Sequence, residues 1–274
     1  MEQPLLRLEN PIACRIVQRI NRFVVEVQIG VCRYRAWINN TGRLLEFLEP
    51  GRAAFCLQRE SPGKTTHRLF AIRDGALAAL IDTQLQMRAF ESCLTHDLLP
   101  WLPGCKRFRR NARLGVSLID YWMHCATGQV YLEVKSAALR LGPYASYPDC
   151  PSLRGRKHVQ ELLDHAARGG KAYIVFIAAL PGAAGFMPNP SADPSLSALL
   201  AAASRSGVDI RSIGLYYHPH HCSIDLFDPD LPVRLHPQDT HTESHRPALH
   251  GRGHLRQMQE TCSDALPLRH TRHV

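Results

Sequence analysis

The stretch that most constrains this chain pairs two acids with a lysine inside strand-like sequence. Asp120 follows Ser117-Leu118-Ile119, and Glu133 stands in Tyr131-Leu132-Glu133-Val134-Lys135-Ser136. Ala126-Thr127-Gly128-Gln129 between them reads as a turn, so the two runs are expected to form an antiparallel hairpin. That hairpin brings Asp120 and Glu133 side by side. Glu133 and Lys135 are two apart on one strand and share a face. Two carboxylates and an ammonium on one face suit a hard divalent cation beside a phosphodiester. Mg²⁺ takes one or two carboxylates and fills its other positions with water and phosphate oxygens. It then generates a nucleophile from water and stabilises the leaving oxygen. Asp, a gap, then Glu-x-Lys is the PD-(D/E)xK pattern. The same residues on an exposed strand would be a salt-bridge ladder; the apolar Leu132 and Val134 around the charges favour the metal site. Asp120, Glu133 and Lys135 are the candidate catalytic residues, with Asp120 and Glu133 as ligands of Mg²⁺ or Mn²⁺.

Charge points to the partner. The 274 residues carry a formal charge of +9, with a pI near 9.3, which favours a polyanion. Lys106-Arg107-Phe108-Arg109-Arg110-Asn111-Ala112-Arg113 puts five cations around an aromatic just before the hairpin. It reads as a phosphate grip or as a solvated basic turn, and its place beside the acids favours the grip. Nine scattered cysteines with no C-x-x-C offer no zinc ribbon and read as free thiols in a reducing cytoplasm. The start, Met1-Glu2-Gln3-Pro4, lacks a basic and apolar leader, so no secretory signal is expected. The longest strongly apolar run, Ala172 to Leu180, is too short to span a bilayer, so no membrane partner is expected.

Residues 11–74 read as short strands spaced by turns at Gly30, Asn39-Asn40-Thr41-Gly42, Glu49-Pro50-Gly51 and Ser61-Pro62-Gly63-Lys64. That pattern predicts a small all-β, OB-like barrel over 1–80, which binds strands or only packs on its neighbour. Asp82 to Trp101 has a helical stripe of Leu85, Ala89, Cys93 and Leu98. Leu141 to Asp149 reads as loop. Ser152 is placed to cap a helix carrying Val159, Leu162 and Leu163, with Arg154, Arg156 and Lys157 in its first turn. Cations there oppose the helix dipole, and a bound phosphate would offset that. Ala172 to Ile177 is a buried-type strand, Asp193-Pro194 starts another helix, and Val208 to Tyr217 is read as the last strand. The order β-β-α-β-α-β predicts an α/β domain over 81–231. Beyond it, 232–274 is rich in His, Pro and Gly without apolar period and is expected to be disordered.

Several segments together resemble the sugar fermentation stimulation protein A (SfsA) family. They are Arg22-Phe23, Asn40-Thr41-Gly42, Pro50-Gly51, Asp120 before an aromatic, Glu133-Val134-Lys135-Ser136, Tyr147-Pro148-Asp149 and Arg154-Gly155-Arg156-Lys157-His158. The resemblance runs over roughly 12–217. It implies an OB-like barrel followed by an α/β C-terminal domain similar to PD-(D/E)xK nucleases. It also implies DNA binding without sequence preference and a regulatory role in sugar (maltose) metabolism. The alternative activity is a divalent-metal-dependent nuclease acting on DNA or RNA, and a third reading is a transcriptional accessory protein that keeps the acidic pair as a relic. With the basic segments, the family motifs set the candidate nucleic-acid contacts: Arg22, Asn40, Thr41, Lys106, Arg107, Arg109, Arg110, Arg113, Arg154, Lys157 and His158. Where the family has Ser-Arg-Ile-Asp this chain has Ser117-Leu118-Ile119-Asp120, and an expected upstream acid falls at Asn111.

Overall fold

The computed structural model describes residues 3–235 apart from Pro62, Lys106 and Thr127. After β1 (Gln3–Arg7) come β2 (Ile12–Asn21), β3 (Val24–Ile29), β4 (Cys32–Trp37), β5 (Ala53–Gln58) and β6 (His67–Asp74). Antiparallel pairings run in the order β4-β3-β2-β5-β6, and a parallel pairing of β4 with β6 closes the barrel. Alternation sorts the side chains. In β3, Val25 and Val27 are fully buried inside, while Gln28 faces out. Burying each such valine contributes about 1.5–3 kcal/mol. The expected barrel is therefore present, without β1, which leaves it and pairs far away.

A turn through Gly75, at φ +64°, leads from β6 to β7 (Leu77–Leu80). Then α1 (Thr83–Thr95) starts at Asp82, whose carboxylate accepts the N–H of Leu85 at 2.9 Å. The helical stripe continues in sequence to Leu98, but the helix stops earlier. Asp97 takes a left-handed φ of +54°, which turns the chain, and Leu99 and Leu102 are buried from a loop.

β8 (Arg107–Leu114), β9 (Ser117–Cys125) and β10 (Gly128–Ala137) form an antiparallel run. β11 (Leu139–Leu141) and β12 (Tyr144–Tyr147) follow, then α2 (Leu153–Ala167), β13 (Lys171–Ala178), β14 (Phe186–Pro188), α3 (Pro194–Arg205), β15 (Asp209–His218) and β16 (Ser223–Asp228). β10, β13 and β15 are parallel neighbours, with α2 and α3 on the connections between them. Val159 and Leu162 of α2 and Leu196 and Leu200 of α3 bury on one face of the sheet. Leu85, Phe90 and Leu94 of α1 bury with the other set of sheet residues. β7 touches β15 through Tyr217 and Ala78, so the barrel's hydrogen-bonded network continues into this sheet.

Four sequence expectations change. The 141–149 loop contains β12, which gains pairing from β11 and β14 in a small second sheet. β15 is not last: β16 pairs with it and with β1. The tail does not detach at 232, because Arg234 N–H donates to the Phe186 carbonyl at 2.9 Å and Val233 bridges Phe186. The His-rich remainder, 236–274, lies outside the described residues. Finally, Cys105 and Cys125 form a disulfide. The β8–β9 register sets Arg107 opposite His124, and this brings the two cysteines to a Cα separation of 4.3 Å. Cysteine spacing alone could not reveal that pairing.

Both helix starts read from sequence are capped as expected. Ser152 Oγ accepts Gly155 N–H at 3.0 Å, and Asp193 Oδ1 accepts Leu196 N–H at 2.9 Å. Asp193 also joins the two caps, since its Oδ2 accepts Ser152 N–H at 2.9 Å. Asp193→Ala is expected to cost about 1–2 kcal/mol in urea unfolding. Asp193→Asn restores the α3 cap but offers an NH₂ to the Ser152 N–H, so it should recover only part. Full recovery by Asn would contradict the shared cap.

Candidate metal and nucleic-acid site

The ladder between β9 and β10 runs from the Gly128–Cys125 pair to the Leu132–Tyr121 pair and stops there. The next residues would be Asp120 and Glu133. Here side chains replace the backbone pairing. Glu133 Oε2 accepts Asp120 N–H at 3.1 Å, and Asp120 Oδ2 accepts Val134 N–H at 2.8 Å. Each carboxylate is thus fastened to the opposite strand, where the two strands part. Glu133 is almost fully buried, and its Oε1 takes the Lys135 ammonium and, at 2.5 Å, His158 Nδ1 from α2. His158 Nε2 accepts from Arg154 Nε at 3.4 Å, so the partners place the imidazole proton on Nδ1.

Electrostatics separate the two acids. Burial pushes the Asp120 carboxyl up to about 6, and the Glu133 charge adds to the push, while Lys135, the Val134 N–H and His158 oppose it. Burial acts on Glu133 the same way, but Lys135 and His158 outweigh it and hold that carboxyl below its ordinary value. Lys135 is buried too, which opposes its charge; Glu133, Tyr147 and Asp120 raise it above the ordinary lysine value nonetheless. The cluster therefore holds one braced anion and one acid that a further cation would keep ionised.

The donor set fits a hard ion. Among the described residues no group of three or more His, Cys, Asp or Glu side chains forms a metal cage. Two carboxylates with the other positions left to water and phosphate oxygen match the way Mg²⁺ and Mn²⁺ are held, and not a closed zinc site.

Two cavities flank the cluster. The first, about 430 Å³, lies between the barrel loop Asn39–Gly42 and the start of α2; Lys135, Ser136 and Tyr147 line it. Arg22, Asn40, Thr41 and Arg154, four of the expected nucleic-acid contacts, line it as well. Asn40 also holds the loop, since its Nδ2 donates to the Ile81 carbonyl at 3.1 Å and its Oδ1 accepts Gly42 N–H at 3.0 Å. The second cavity, about 390 Å³, is lined by Asp120 and by Arg88, Glu91, Arg110 and Asn111.

The remaining sequence candidates fall elsewhere. Arg110 reaches the second cavity but is paired with Glu91. Arg109 lies over the Trp122 ring at 5.5 Å, and Arg107 and Arg113 are exposed on the same edge strand. Lys157 is exposed on α2. Lys106 lies outside the described residues. His158 is corrected: it is buried against Glu133, and its contact is with that carboxylate. Sequence reading missed Glu91, which accepts Tyr121 OH at 2.8 Å and binds Arg110. It sits between buried residues of α1, and no spacing rule marks it. Asn111 falls between the Arg110–Tyr121 and Ala112–Ile119 pairs of the β8–β9 ladder, takes a left-handed φ of +52°, and lines the second cavity with Asp120.

A closed five-strand barrel joined to an α/β sheet, with braced acids where two strands part, defines the class of protein. Residues 17–81 match the SfsA N-terminal OB domain, and 84–221 match the sugar fermentation stimulation protein RE domain. The chain belongs to the sugar fermentation stimulation protein (SfsA) family. It is 46% identical over 203 residues to the sugar fermentation stimulation protein homolog of Pyrococcus furiosus, covering 74% of this chain and 88% of that one. The homolog of Archaeoglobus fulgidus is 45% identical over 229 residues, 84% of this chain and 98% of its own. A solved structure of Pyrococcus furiosus SfsA in complex with Ca²⁺ superposes with a TM-score of 0.81 at 42% identity, covering 85% of this chain and 99% of that one. Among the described residues no helix is long and apolar enough to cross a membrane.

Proposed function

We propose that this protein binds nucleic acid, DNA above all, without sequence preference, and hydrolyses its phosphodiester bonds at the Asp120–Glu133 centre. The α/β domain is then a PD-(D/E)xK-type nuclease domain, and the barrel contributes to strand binding. The observation that carries this reading is the reciprocal bracing of Asp120 and Glu133 with Lys135 beside them. Mg²⁺ or Mn²⁺ held by Asp120 and Glu133 supplies charge neutralisation at the phosphate and a more acidic water. The chain's own groups do the rest. His158 fixes Glu133. The Lys135 ammonium, at the wall of the first cavity, counters phosphate charge and orients the water. The water oxygen bonds to phosphorus and releases a proton to solvent, the P–O bond to the adjoining sugar breaks, and the leaving oxygen takes a proton from solvent. Arg22 and Arg154 neutralise neighbouring phosphates. The Ca²⁺ in the solved Pyrococcus relative supports the reading, because Ca²⁺ also prefers oxygen ligands. Nucleic acid as substrate accords with the cytoplasmic location expected from the sequence.

The second reading is binding without turnover, with the regulatory role in sugar (maltose) metabolism. Asn111, which lines the second cavity with Asp120, favours it, because an acid there would have added a third carboxylate. One experiment separates the two. Mixed DNA and RNA substrates are incubated with the protein in chelator, Mg²⁺ or Mn²⁺. Metal-dependent cleavage that Asp120→Ala and Glu133→Gln both lose is expected. Binding should weaken with salt, with a log–log slope near −0.9 per phosphate neutralised on duplex DNA. Salt-dependent binding with no cleavage in either metal leaves only the second reading.

A further inference from the structure

The two cavities differ in how they end. Thr83 lines both, Lys135 lines the first and Asp120 the second, so they lie on the two sides of the candidate centre. The second follows α1 and β8. The first is shut on the side where the barrel loop meets the segment after β12. There Leu44 N–H donates to Asp149 Oδ2 at 3.1 Å. Gly42 packs so tightly that a Cβ on it would stand 2.5 Å from the same oxygen. A strand entering past Asp120 cannot run on through this wall.

This cavity is also furnished for one nucleotide. Its volume, about 430 Å³, is that of a small-ligand site. Ser136 on its wall has a buried Oγ without a hydrogen-bond partner. Arg22 and Arg154 bring cations to it. Phe23, next to Arg22 but not itself in the cavity's lining, is 49% exposed, with the guanidinium 5.6 Å from its ring centre. An exposed aromatic next to a cation is a platform on which a single base stacks.

We propose that the first cavity is a terminal-nucleotide pocket: the protein takes the free end of a single strand, leads it past Asp120, and seats the last nucleotide against the closed wall. The inference rests on the nuclease reading for its product but not for its binding. Hydrolysis at the centre then releases single nucleotides, water adding to phosphorus as the bond to the next sugar breaks. A strand without an end does not fit.

The test uses one single-stranded DNA in linear form and ligated into a circle. In chelator, the linear strand is expected to compete about tenfold better than the circle, the scale of one base stack. Ser136→Leu fills the pocket and should bring the linear strand down to the circle's affinity. If that variant melts early, Arg22→Glu on the surface makes the same test. With Mg²⁺, single nucleotides should appear from the first time points and the circle should stay intact. Equal binding of circle and linear strand, or cutting of the circle, overturns the pocket and leaves the nuclease reading standing. End preference in chelator with no cleavage in any metal supports the pocket and removes the nuclease reading. Binding of neither form overturns both.

Discussion

In chelator, Asp120→Asn is expected to be more stable than the wild type at pH 8 and level with it near pH 4. The Asp120 carboxyl is raised from an ordinary 3.8 to about 6, first by burial and then by the neighbouring Glu133. A raised acid favours the fold while protonated. That contribution is complete below the unfolded value and is lost as pH rises through the folded value. The difference of two units corresponds to about 3 kcal/mol above pH 6. For a protein of this size that is a gap of roughly 6–12 °C in melting temperature. Asparagine keeps an acceptor for Val134 N–H and carries no charge. Mg²⁺ or Mn²⁺ should close the gap from the wild-type side, because an ion bound to the ionised form stabilises by mass action. Parallel pH profiles for the two proteins, with no metal response, would remove Asp120 from any metal site.

Lys135→Met is expected to cost about 3–5 kcal/mol at pH 7, through stability as well as any chemistry. Glu133 is buried, and removing one partner of a buried pair leaves the other charge uncompensated. In the wild type the Glu133 carboxyl lies below its ordinary value, so its contribution is present above that value and fades as pH falls. Without the ammonium, burial gains ground and the carboxyl rises. The variant should therefore recover stability on acidification, where the wild type loses it. Adding Glu133→Gln should return most of the loss at pH 7, giving a large coupling in the double-mutant cycle. Additive losses would show that Lys135 is held by something other than Glu133.

The barrel was legible because its short β-rich runs are spaced by turn signals such as Asn39-Asn40-Thr41-Gly42 and Pro50-Gly51. Val25 and Val27 are two apart on one strand and share a face on local geometry alone. The caps at Ser152 and Asp193 were legible for the same reason: the chemistry is local. The acid pair was visible as a pattern, and the hairpin turn between the acids set their proximity. What the sequence could not carry were contacts set by strands distant in the chain. The role of His158 depends on where α2 lies over β10. The basic run 106–113 looked like one grip, yet β8 sends Arg110 to Glu91 and Arg109 over Trp122. The shared cap at Asp193 needed both helix starts in one place. Cys105 and Cys125 met only because β8 and β9 are in register.

The pairing of β1 with β16 sets a timetable. Gln3 faces Leu226, 223 positions later, so during synthesis β1 must wait for β16. At about 5–20 residues per second the wait is roughly 10–45 s. During that time the barrel strands, all between Ile12 and Asp74, already have every partner they need. The sheet that carries the acids does not: its β15 flank stays an open edge until β16 arrives and β1 folds over it. The nascent chain therefore carries a finished barrel beside an unfinished, adhesive sheet, and β1 is placed only after β16.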